Sequence, residues 1–197
     1  MVRRPGEETA AAISRSTFDG SVPVAYVATG ADYPDALGGV PAAAVEGGPI
    51  LLVRPSAVPQ ATRTELQRLR PQRIVVLGGT SAINADVATQ LQQYAPTIQR
   101  RAGVDRYETA VAISKASFQP ALNHVFIATG ANFPDGLAGG PAAATARGPL
   151  LLVRSTSLPG SVRAELLRLT PTRVTILGGQ VAINESVRDE ITRLLNP

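Results

Sequence analysis

Short runs of apolar residues alternate with longer amphipathic segments along the whole chain. The runs 24–29, 49–53 and 73–77 are apolar and rich in β-branched residues, which predicts strands buried on both faces. Between them, the Ala-rich segment 34–46 and the segment 59–69, where leucines stand among Arg and Glu, predict helices. Strands that alternate with helices indicate βαβ units and a mostly parallel sheet covered by helices on both faces.

Polar residues at the edges of these segments mark where helices begin. Asn84 precedes a segment with apolar residues on one face, and a side-chain oxygen at such a position accepts a hydrogen bond from the first turn. Asp105 precedes the helix predicted for 106–118, and Glu108 three residues further on completes a capping-box pattern. The segment 97–101 predicts a fourth, weaker strand.

The second half of the chain repeats the first at a constant offset of 100 residues. About 40 of about 90 paired positions are identical without a gap, which chance does not produce. We therefore predict two copies of one structural unit, copy 1 over residues 1–100 and copy 2 over residues 101–197. Each copy is predicted to be a small doubly wound α/β domain with three or four mostly parallel strands, a Rossmann-like or Toprim-like three-layer sandwich.

The composition excludes several kinds of site. The 197 residues include no Cys and one His, which removes disulfide frameworks, thiolate chemistry and multi-histidine metal sites. Aromatic residues make up 4%, which argues against a ligand site built on ring stacking. No run of about 20 apolar residues occurs, so no membrane span is predicted. Residues 1–8 lack the apolar core of a signal peptide, so the chain is expected to stay inside the cell or to be a piece of a longer exported chain.

The basic residues are nearly all arginines. The net charge is +4, and Lys115 is the only lysine. The excess favours an anionic partner, either nucleic acid or an acidic polymer, while a basic surface without a partner explains it equally well. The scarcity of lysines and of aromatic residues between the basic positions lowers the nucleic-acid hypothesis.

Arginines stand at two places where a ligand is expected. Arg54 and Arg154 directly follow buried strands and should reach the rim formed by the carboxyl ends of the sheet, where open α/β sheets bind ligands. Arg101 and Arg106 lie at the junction between the copies. These side chains suit phosphate or carboxylate groups, or they form salt bridges between the copies to Asp105 or Glu108, and both interpretations remain open.

A further set of arginines stands beside glutamates on the helix predicted over 59–69 and on its counterpart in copy 2. This spacing predicts a solvated face of ion pairs. The set comprises Arg63, Arg68, Arg163 and Arg168 with Glu65 and Glu165.

Asp32 and Asp35 lie in one strand-to-helix loop, where paired carboxylates hold metals or serve acid–base chemistry. However, Asn132 replaces Asp32 in copy 2, and Asp35 and Asp135 follow a proline at a helix start, where a carboxylate stabilises free N–H groups. Helix capping is therefore the favoured interpretation, and no catalytic residue, metal or cofactor is predicted. A metal-dependent hydrolase or phosphotransfer domain using Asp35 and Asp135 is the alternative hypothesis. The predicted capping residues are Asp35, Asp135, Asn84, Asn184 and Asp105.

The shared segments together resemble the cell wall-binding repeat 2 family. The order A-T-G-x-x-[FY]-P-D-x-L, P-A-A-A, G-P-[IL]-L-L, L-x-P-x-R and L-G-G-x-x-A-I-N is similar to that family and covers nearly the whole chain, twice. The stretch 101–110 is similar to the family's opening motif R-x-x-G-x-D-R-Y-x-T-A, with one residue fewer before Gly103. Copy 1 carries Pro5-Gly6-Glu7 where copy 2 carries Asp105-Arg106-Tyr107.

The resemblance implies a Gram-positive surface protein held without catalysis on an anionic cell-wall polymer, a polysaccharide or a teichoic-acid-like chain. It also implies domains that often occur as three tandem copies around a pseudo-threefold axis. Two copies leave one interface open, which a homo-oligomer or a third copy would fill. The Arg-rich, Ala-rich composition fits an actinobacterial source. Weak contacts that sum over sites would give avidity. The residues expected to contact the polymer are Arg54, Arg154, Arg101, Arg106, Thr29 and Thr129.

Overall fold

The fold follows the alternation of strands and helices that the apolar pattern predicts. A computed structural model describes residues 5–132 and 134–195. Phe133 of the shared motif and the outer ends of the two predicted copies, 1–4 and 196–197, lie outside the described residues. The helices are α1 (Pro5–Thr17), α2 (Pro34–Glu46), α3 (Gln60–Leu69), α4 (Ala85–Leu91), α5 (Arg106–Ser117), α6 (Pro134–Thr145), α7 (Gly160–Leu169) and α8 (Glu185–Leu195). The strands are β1 (Ala25–Thr29), β2 (Ile50–Val53), β3 (Arg73–Leu77), β4 (Thr97–Arg101), β5 (Val125–Thr129), β6 (Leu150–Val153) and β7 (Val174–Ile176).

The strands form two parallel sheets. The first sheet has the order β2-β1-β3-β4, and the second has the corresponding order β6-β5-β7. Every strand pair is parallel, and β1 meets β2 and β3 in the same register in which β5 meets β6 and β7. The predicted α/β class with small parallel sheets is therefore confirmed. Within the described residues, β4 covers the edge of β3, whereas the outer edge of β7 carries no strand.

Helices cover both faces of each sheet. Successive residues of a strand point to opposite faces, so apolar residues along a strand pack against helices on both sides. On one side of the first sheet, Val27 packs with Leu66 of α3 and Leu91 of α4. On the other side, Tyr26 packs with Ala42 of α2. All residues of β1 and β5 are buried, as expected for central parallel strands.

A buried carboxylate fastens the opening helix to each copy. Glu65 of α3 is fully buried and accepts hydrogen bonds from Ser14 Oγ of α1 (2.7 Å) and Arg68 Nη2 (2.6 Å). In copy 2, Glu165 accepts the same bonds from Ser114 and Arg168. Burial alone would raise the pKa of Glu65, but the hydrogen bonds outweigh it and hold that pKa below its usual value.

The ion pairs predicted on α3 and α7 are present, because Arg68 and Arg168 each pair with the glutamate three residues earlier. The prediction that these glutamates are solvated is wrong. Both glutamates face inward, because the opening helix of each copy lies over them. Among the arginines of that set, Arg63 donates to the Val58 carbonyl instead, and Arg163 pairs with Glu190 of α8.

The two copies meet through three helices. Helix α2 of copy 1 packs against both α5 and α6 of copy 2. Gly38 lies against α5, because a Cβ there would be 3.6 Å from Ala110 and from Ile113. Leu37 is only 5% exposed, since it packs against Gly136 of α6. The expected packing of the copies against each other is thus present.

None of the described helices is both long and apolar enough to cross a membrane.

Candidate functional site

A cleft opens between the copies at the carboxyl ends of β1 and β3. Its volume is about 330 Å³, and its walls are the loop after β1, the loop after β3 and the start of α5. The carboxyl ends of parallel strands are where α/β sheets place ligands. The polar side chains that line it are Thr29, Asp32, Asp35, Ser81, Asp105, Arg106 and Thr109.

Asp35 lies at the inner wall of this cleft, in the first turn of α2. Its carboxylate packs against Gly78, where a Cβ would collide with Oδ2, and Gly78 holds a left-handed φ of 91°. Only glycine satisfies both conditions without strain. Burial, and next the charge of Asp32, raise the pKa of Asp35, although Arg106 and a hydrogen bond from Thr109 oppose them.

The structure supports the capping role predicted for Asp35 only in part. Asp35 stands in the first turn of α2, which suits the helix dipole. However, the N-cap position is occupied by Tyr33, and its side chain makes no capping bond. Asp135 stands at the same place in α6, and its carboxylate faces Gly178 in the same way.

The other predicted capping residues stand directly before their helices and accept hydrogen bonds from N–H groups of the first turn. Asn84 Oδ1 accepts from the Val87 N–H (2.9 Å), and Asn184 Oδ1 accepts from the Val187 N–H (3.2 Å). Asp105 Oδ1 accepts from two N–H groups in the first turn of α5. These bonds fix the start of α5 at the mouth of the cleft.

Arg106 bridges the copies across the cleft. Its Nη1 donates to the Gly130 carbonyl of copy 2 (2.6 Å), and its Nη2 lies 3.7 Å from Asp32 Oδ2 of copy 1. About a third of the Arg106 side chain is exposed, as is about half of Asp32. The Arg106–Asp32 ion pair is therefore long and accessible to solvent. An anionic group could reach Arg106 in place of Asp32.

Arg154 lies beside the cleft mouth at the end of β6, as its position after a strand predicts. Its Nη2 is 3.6 Å from Asp105 Oδ2, and its guanidinium lies over the Tyr107 ring at 4.9 Å. With 53% of its side chain exposed, Arg154 is the most accessible of the four predicted arginines. Arg54 occupies the same place in copy 1, where it pairs with Glu7 at 3.3 Å.

Arg101 does not lie at a ligand surface, which corrects the prediction for this residue. Its side chain is 8% exposed and donates to Glu46, Ser117 and the Tyr26 hydroxyl. Burial would raise the pKa of Glu46, but its hydrogen bonds from Ser117 and Arg101 lower that pKa below its usual value. Burial raises the pKa of Tyr26 to about 12. Arg101 is thus a buried link between the copies.

The two predicted threonines end their strands as expected, but both are nearly buried. Thr29 is 4% exposed and Thr129 is 2% exposed. Each hydroxyl accepts from the N–H two residues on, in Ala31 and Ala131. Their local task is therefore to hold the turn after the strand, although Thr29 also borders the cleft.

The cleft carries groups suited to hold a hydroxylated chain. The carboxylates of Asp32, Asp35 and Asp105 accept hydrogen bonds and the guanidinium of Arg106 donates them, while the hydroxyls of the lining serine and threonines do both. Within the described residues, no group of three or more Asp, Glu, His or Cys side chains is arranged to hold a metal ion. The arrangement is one for binding and orientation.

The hydrogen-bond network of Glu46 was not predicted from the sequence, although the comparison of the two copies contains one signal of it. Glu46 and Tyr26 of copy 1 correspond to Ala146 and Phe126 of copy 2. Copy 2 thus lacks both the carboxylate of Glu46 and the hydroxyl of Tyr26, and this joint absence indicates that the two groups act as partners in copy 1.

Comparison with known proteins gives the same picture of one unit used twice. The N-acetylmuramoyl-L-alanine amidase LytC of Bacillus subtilis (strain 168) is 26% identical over 183 residues, covering 93% of this chain and 36% of the relative. The amidase enhancer of the same organism is 29% identical over 163 residues, covering 82% of this chain and 21% of the relative. This chain therefore spans about a third or less of the length of these relatives.

The fold comparison and the family comparison cover nearly the whole chain. The structure of Cwp6 from Clostridium difficile superposes with a TM-score of 0.88 at 26% identity, over 95% of this chain and 30% of that one. The sequence matches the family description Cell wall binding domain 2 (CWB2) over residues 7–88 and again over residues 100–188. With two tandem matches along most of its length, the chain belongs to the Cell wall binding domain 2 family.

Proposed function

We propose that this chain anchors a protein to the bacterial cell wall without catalysing a reaction, by binding an anionic wall polymer. The observation that carries the proposal is the double match to the wall-binding family over residues 7–88 and 100–188. A surface or wall-associated location follows from the same family membership. Secretion, which the family resemblance implies, and an actinobacterial source, which the Arg-rich and Ala-rich composition suggests, belong to the proposal as well.

The cleft between the copies is the place where we expect the polymer to lie. Its hydroxyls and carboxylates suit sugar hydroxyls, while acidic groups of the polymer would meet Arg106 and Arg154 at the mouth. Both arginines are partly exposed and hold their carboxylate partners loosely, at 3.6–3.7 Å. Exposed pairs of this kind contribute roughly 0–1 kcal/mol each, so exchanging a carboxylate for a polymer anion costs little.

The test is co-sedimentation of the chain with Gram-positive cell walls, with and without their acid-extractable anionic polymers, at low and high salt. Binding that disappears after extraction and weakens in salt supports the proposal, because exposed charge pairs are screened. Equal binding to extracted walls would contradict the anionic-polymer part. Failure to bind either preparation would contradict wall binding by these two copies.

Variants separate the predicted arginines. Replacing both Arg54 and Arg154 by Ala should weaken retention of the chain on cell walls and flatten the salt dependence of that retention. Each substitution removes a partly exposed cation near the carboxyl-end rim of a sheet. Arg70→Ala is the matched control, because Arg70 is exposed and lies at the end of α3, away from the cleft lining. Unchanged retention of the double variant would remove Arg54 and Arg154 from the proposal.

A second part of the proposal concerns the open face of copy 2. Helix α6 exposes the positions that α2 buries: Leu137 is 58% exposed, whereas Leu37 is 5% exposed. Ala138 takes the place of Gly38. A Cβ at Gly38 would lie 3.6 Å from α5, so an interface of the same geometry on α6 would accept the methyl group of Ala138. We propose that this face receives the opening helix of a third copy, from the same protein or from another chain.

Helix α1 offers the complementary surface. Ile13 of α1 is 61% exposed, whereas its counterpart Ile113 of α5 is 1% exposed because it packs against α2. Sedimentation velocity over a range of concentrations tests filling by another chain, and Leu137→Glu should then abolish association. A monomer at every concentration contradicts the oligomer. In a fusion with an added third copy, Leu137→Glu should become destabilising; if it stays neutral, the third-copy interface is wrong.

A further inference from the structure

A cluster of basic residues stands at the opposite end of the second sheet from the cleft. His124 directly precedes β5, Arg173 directly precedes β7, and Arg147 is the second residue after the end of α6. The amino ends of parallel strands meet at one edge of a sheet, so these residues share that edge. Arg147 and Arg173 are exposed, and His124 is half-buried.

In copy 1 the corresponding corner is neutralised by a carboxylate. Arg73 Nη2 donates to Glu46 Oε2 at 2.6 Å, which shows that an arginine at this position reaches the end of α2. Copy 2 has Ala146 in place of Glu46 and Arg147 in place of Gly47. The corner has therefore lost its anion and gained a cation. Within the described part of the chain, neither Arg147 nor Arg173 makes a salt bridge.

The histidine ring is held in place next to these arginines. Its Nε2 lies 2.7 Å from the Thr175 hydroxyl, and the ring stacks on Phe126 at 4.1 Å between centroids. Burial, and then the charge of Arg173, lower the pKa of His124, which shows that Arg173 acts on the ring. The chain after Arg147 touches the same residue, because a Cβ at Gly148 would collide with the His124 carbonyl.

The backbone at Arg147 is unfavourable for an arginine. Its φ is 52°, in the left-handed region, where copy 1 places Gly47 with φ 75°. A residue with a Cβ costs stability there, and such strain is concentrated where a side chain has a task. The cation is thus present at a position where glycine fits the backbone better.

We propose that Arg147, Arg173 and His124 form an oxyanion site that holds a phosphate or carboxylate group of the wall polymer. The inference rests on the proposed wall-binding function and adds a second contact region, at the amino-end edge of copy 2. Guanidinium groups bind such oxyanions with paired hydrogen bonds. An anion here takes the place that the Glu46 carboxylate holds in copy 1.

The single histidine of the chain makes the site directly observable. The proton on Cε1 of His124 gives one imidazole resonance, which can be followed by NMR through a pH titration. Adding inorganic phosphate, and in a second arm acetate, should raise the pKa of His124, because an anion beside the ring favours its charged form. The comparison of the two arms distinguishes a phosphate site from a carboxylate site. No response to either anion overturns the proposal.

Three variants and one control make the test specific. Arg147→Gly installs the copy 1 residue, and Arg173→Gln removes the other cation; each should reduce the response to phosphate severalfold. Ala146→Glu restores the carboxylate of copy 1 and should block the response while the fold is kept. Arg70→Gln is the control, since Arg70 is also exposed and left-handed, with φ 41°. A response lost equally in the control overturns the site.

Wall co-sedimentation then connects the site to function. The double variant Arg147→Gly with Arg173→Gln should bind intact walls roughly fivefold more weakly at low salt, and the control should bind normally. If the unmodified chain binds walls and the double variant binds equally well, the oxyanion site has no part in anchoring and the inference fails alone. If the unmodified chain does not bind walls, the proposed function fails, while the NMR response still reports on the site.

Discussion

The same helix has opposite surroundings in the two copies. In copy 1, α2 is covered by α5 and α6, and Leu37 is 5% exposed; in copy 2, α6 leaves Leu137 58% exposed. The charged groups differ in the same sense, because Glu46 at the end of α2 pairs with Arg73 and with Arg101 at the junction, whereas copy 2 has Ala146 at that position and Arg173 forms no salt bridge within the described residues. Burial between the copies, and not the helix sequence alone, decides which residues are core.

The largest expected effect comes from breaking the charge network that only copy 1 has. Glu46→Ala leaves Arg101 buried without its carboxylate and should lower the free energy of unfolding by about 3 kcal/mol. Urea unfolding measures it. The double variant Glu46→Ala with Arg101→Leu should recover part of the loss, since no unpaired charge remains. A cost below about 1 kcal/mol would contradict the network's role.

The next effect compares the same leucine in both copies. Leu37→Ala should cost about 2–4 kcal/mol, because Leu37 is packed between the copies. Leu137→Ala should change stability by less than about 0.5 kcal/mol, because its side chain is mostly in water. Thermal unfolding of the two variants side by side is the measurement. Equal costs would show that α6 is covered in solution.

A smaller effect, of opposite sign, concerns Gly38. Gly38→Ala introduces the residue that copy 2 carries, and its Cβ would lie at an ordinary contact distance of 3.6 Å from α5. The gain in helix propensity should stabilise the chain by about 0.5–1 kcal/mol. Gly39→Ala is the contrast, because a Cβ at Gly39 would collide with Leu77. Stabilisation by both variants would show that the contact to Leu77 is not restrictive.

The smallest expected effect is a pH dependence at the cleft. The pKa of Asp35 is raised in the folded chain by burial and by Asp32. Folding therefore favours the protonated form of Asp35. The contribution of this group to the free energy of unfolding is full below the unfolded pKa of 3.8 and is lost as pH rises through the folded pKa. Asp35→Asn should gain stability relative to the unmodified chain at neutral pH but not at pH 3. Parallel curves from acid to neutral pH would contradict this.

Much of the fold could be predicted from local pattern, because the apolar and polar positions that define each strand and helix lie within that segment. The helix over Pro34–Glu46 and the strands Arg73–Leu77 and Thr97–Arg101 have the predicted bounds. The duplication also gave the tandem arrangement. The sites were harder, because a side chain's partner lies far away in sequence. Arg101 and Glu65 carry charges that suggest exposure to solvent. Their burial depends on partners that include Glu46, 55 residues from Arg101, and Ser14, 51 residues from Glu65.

The Ser14–Glu65 and Ser114–Glu165 bonds have a consequence for how such a protein evolves. Each opening helix is tied to its own copy by a buried carboxylate, while the outward face of α5 belongs to the neighbouring copy. A duplicated segment therefore already encodes the Ser–Glu hydrogen bond within its own copy and the helix face that packs against the preceding copy. Lengthening the array by recombination needs no new interface, and later substitutions such as Glu46 against Ala146 can then give each joint its own identity.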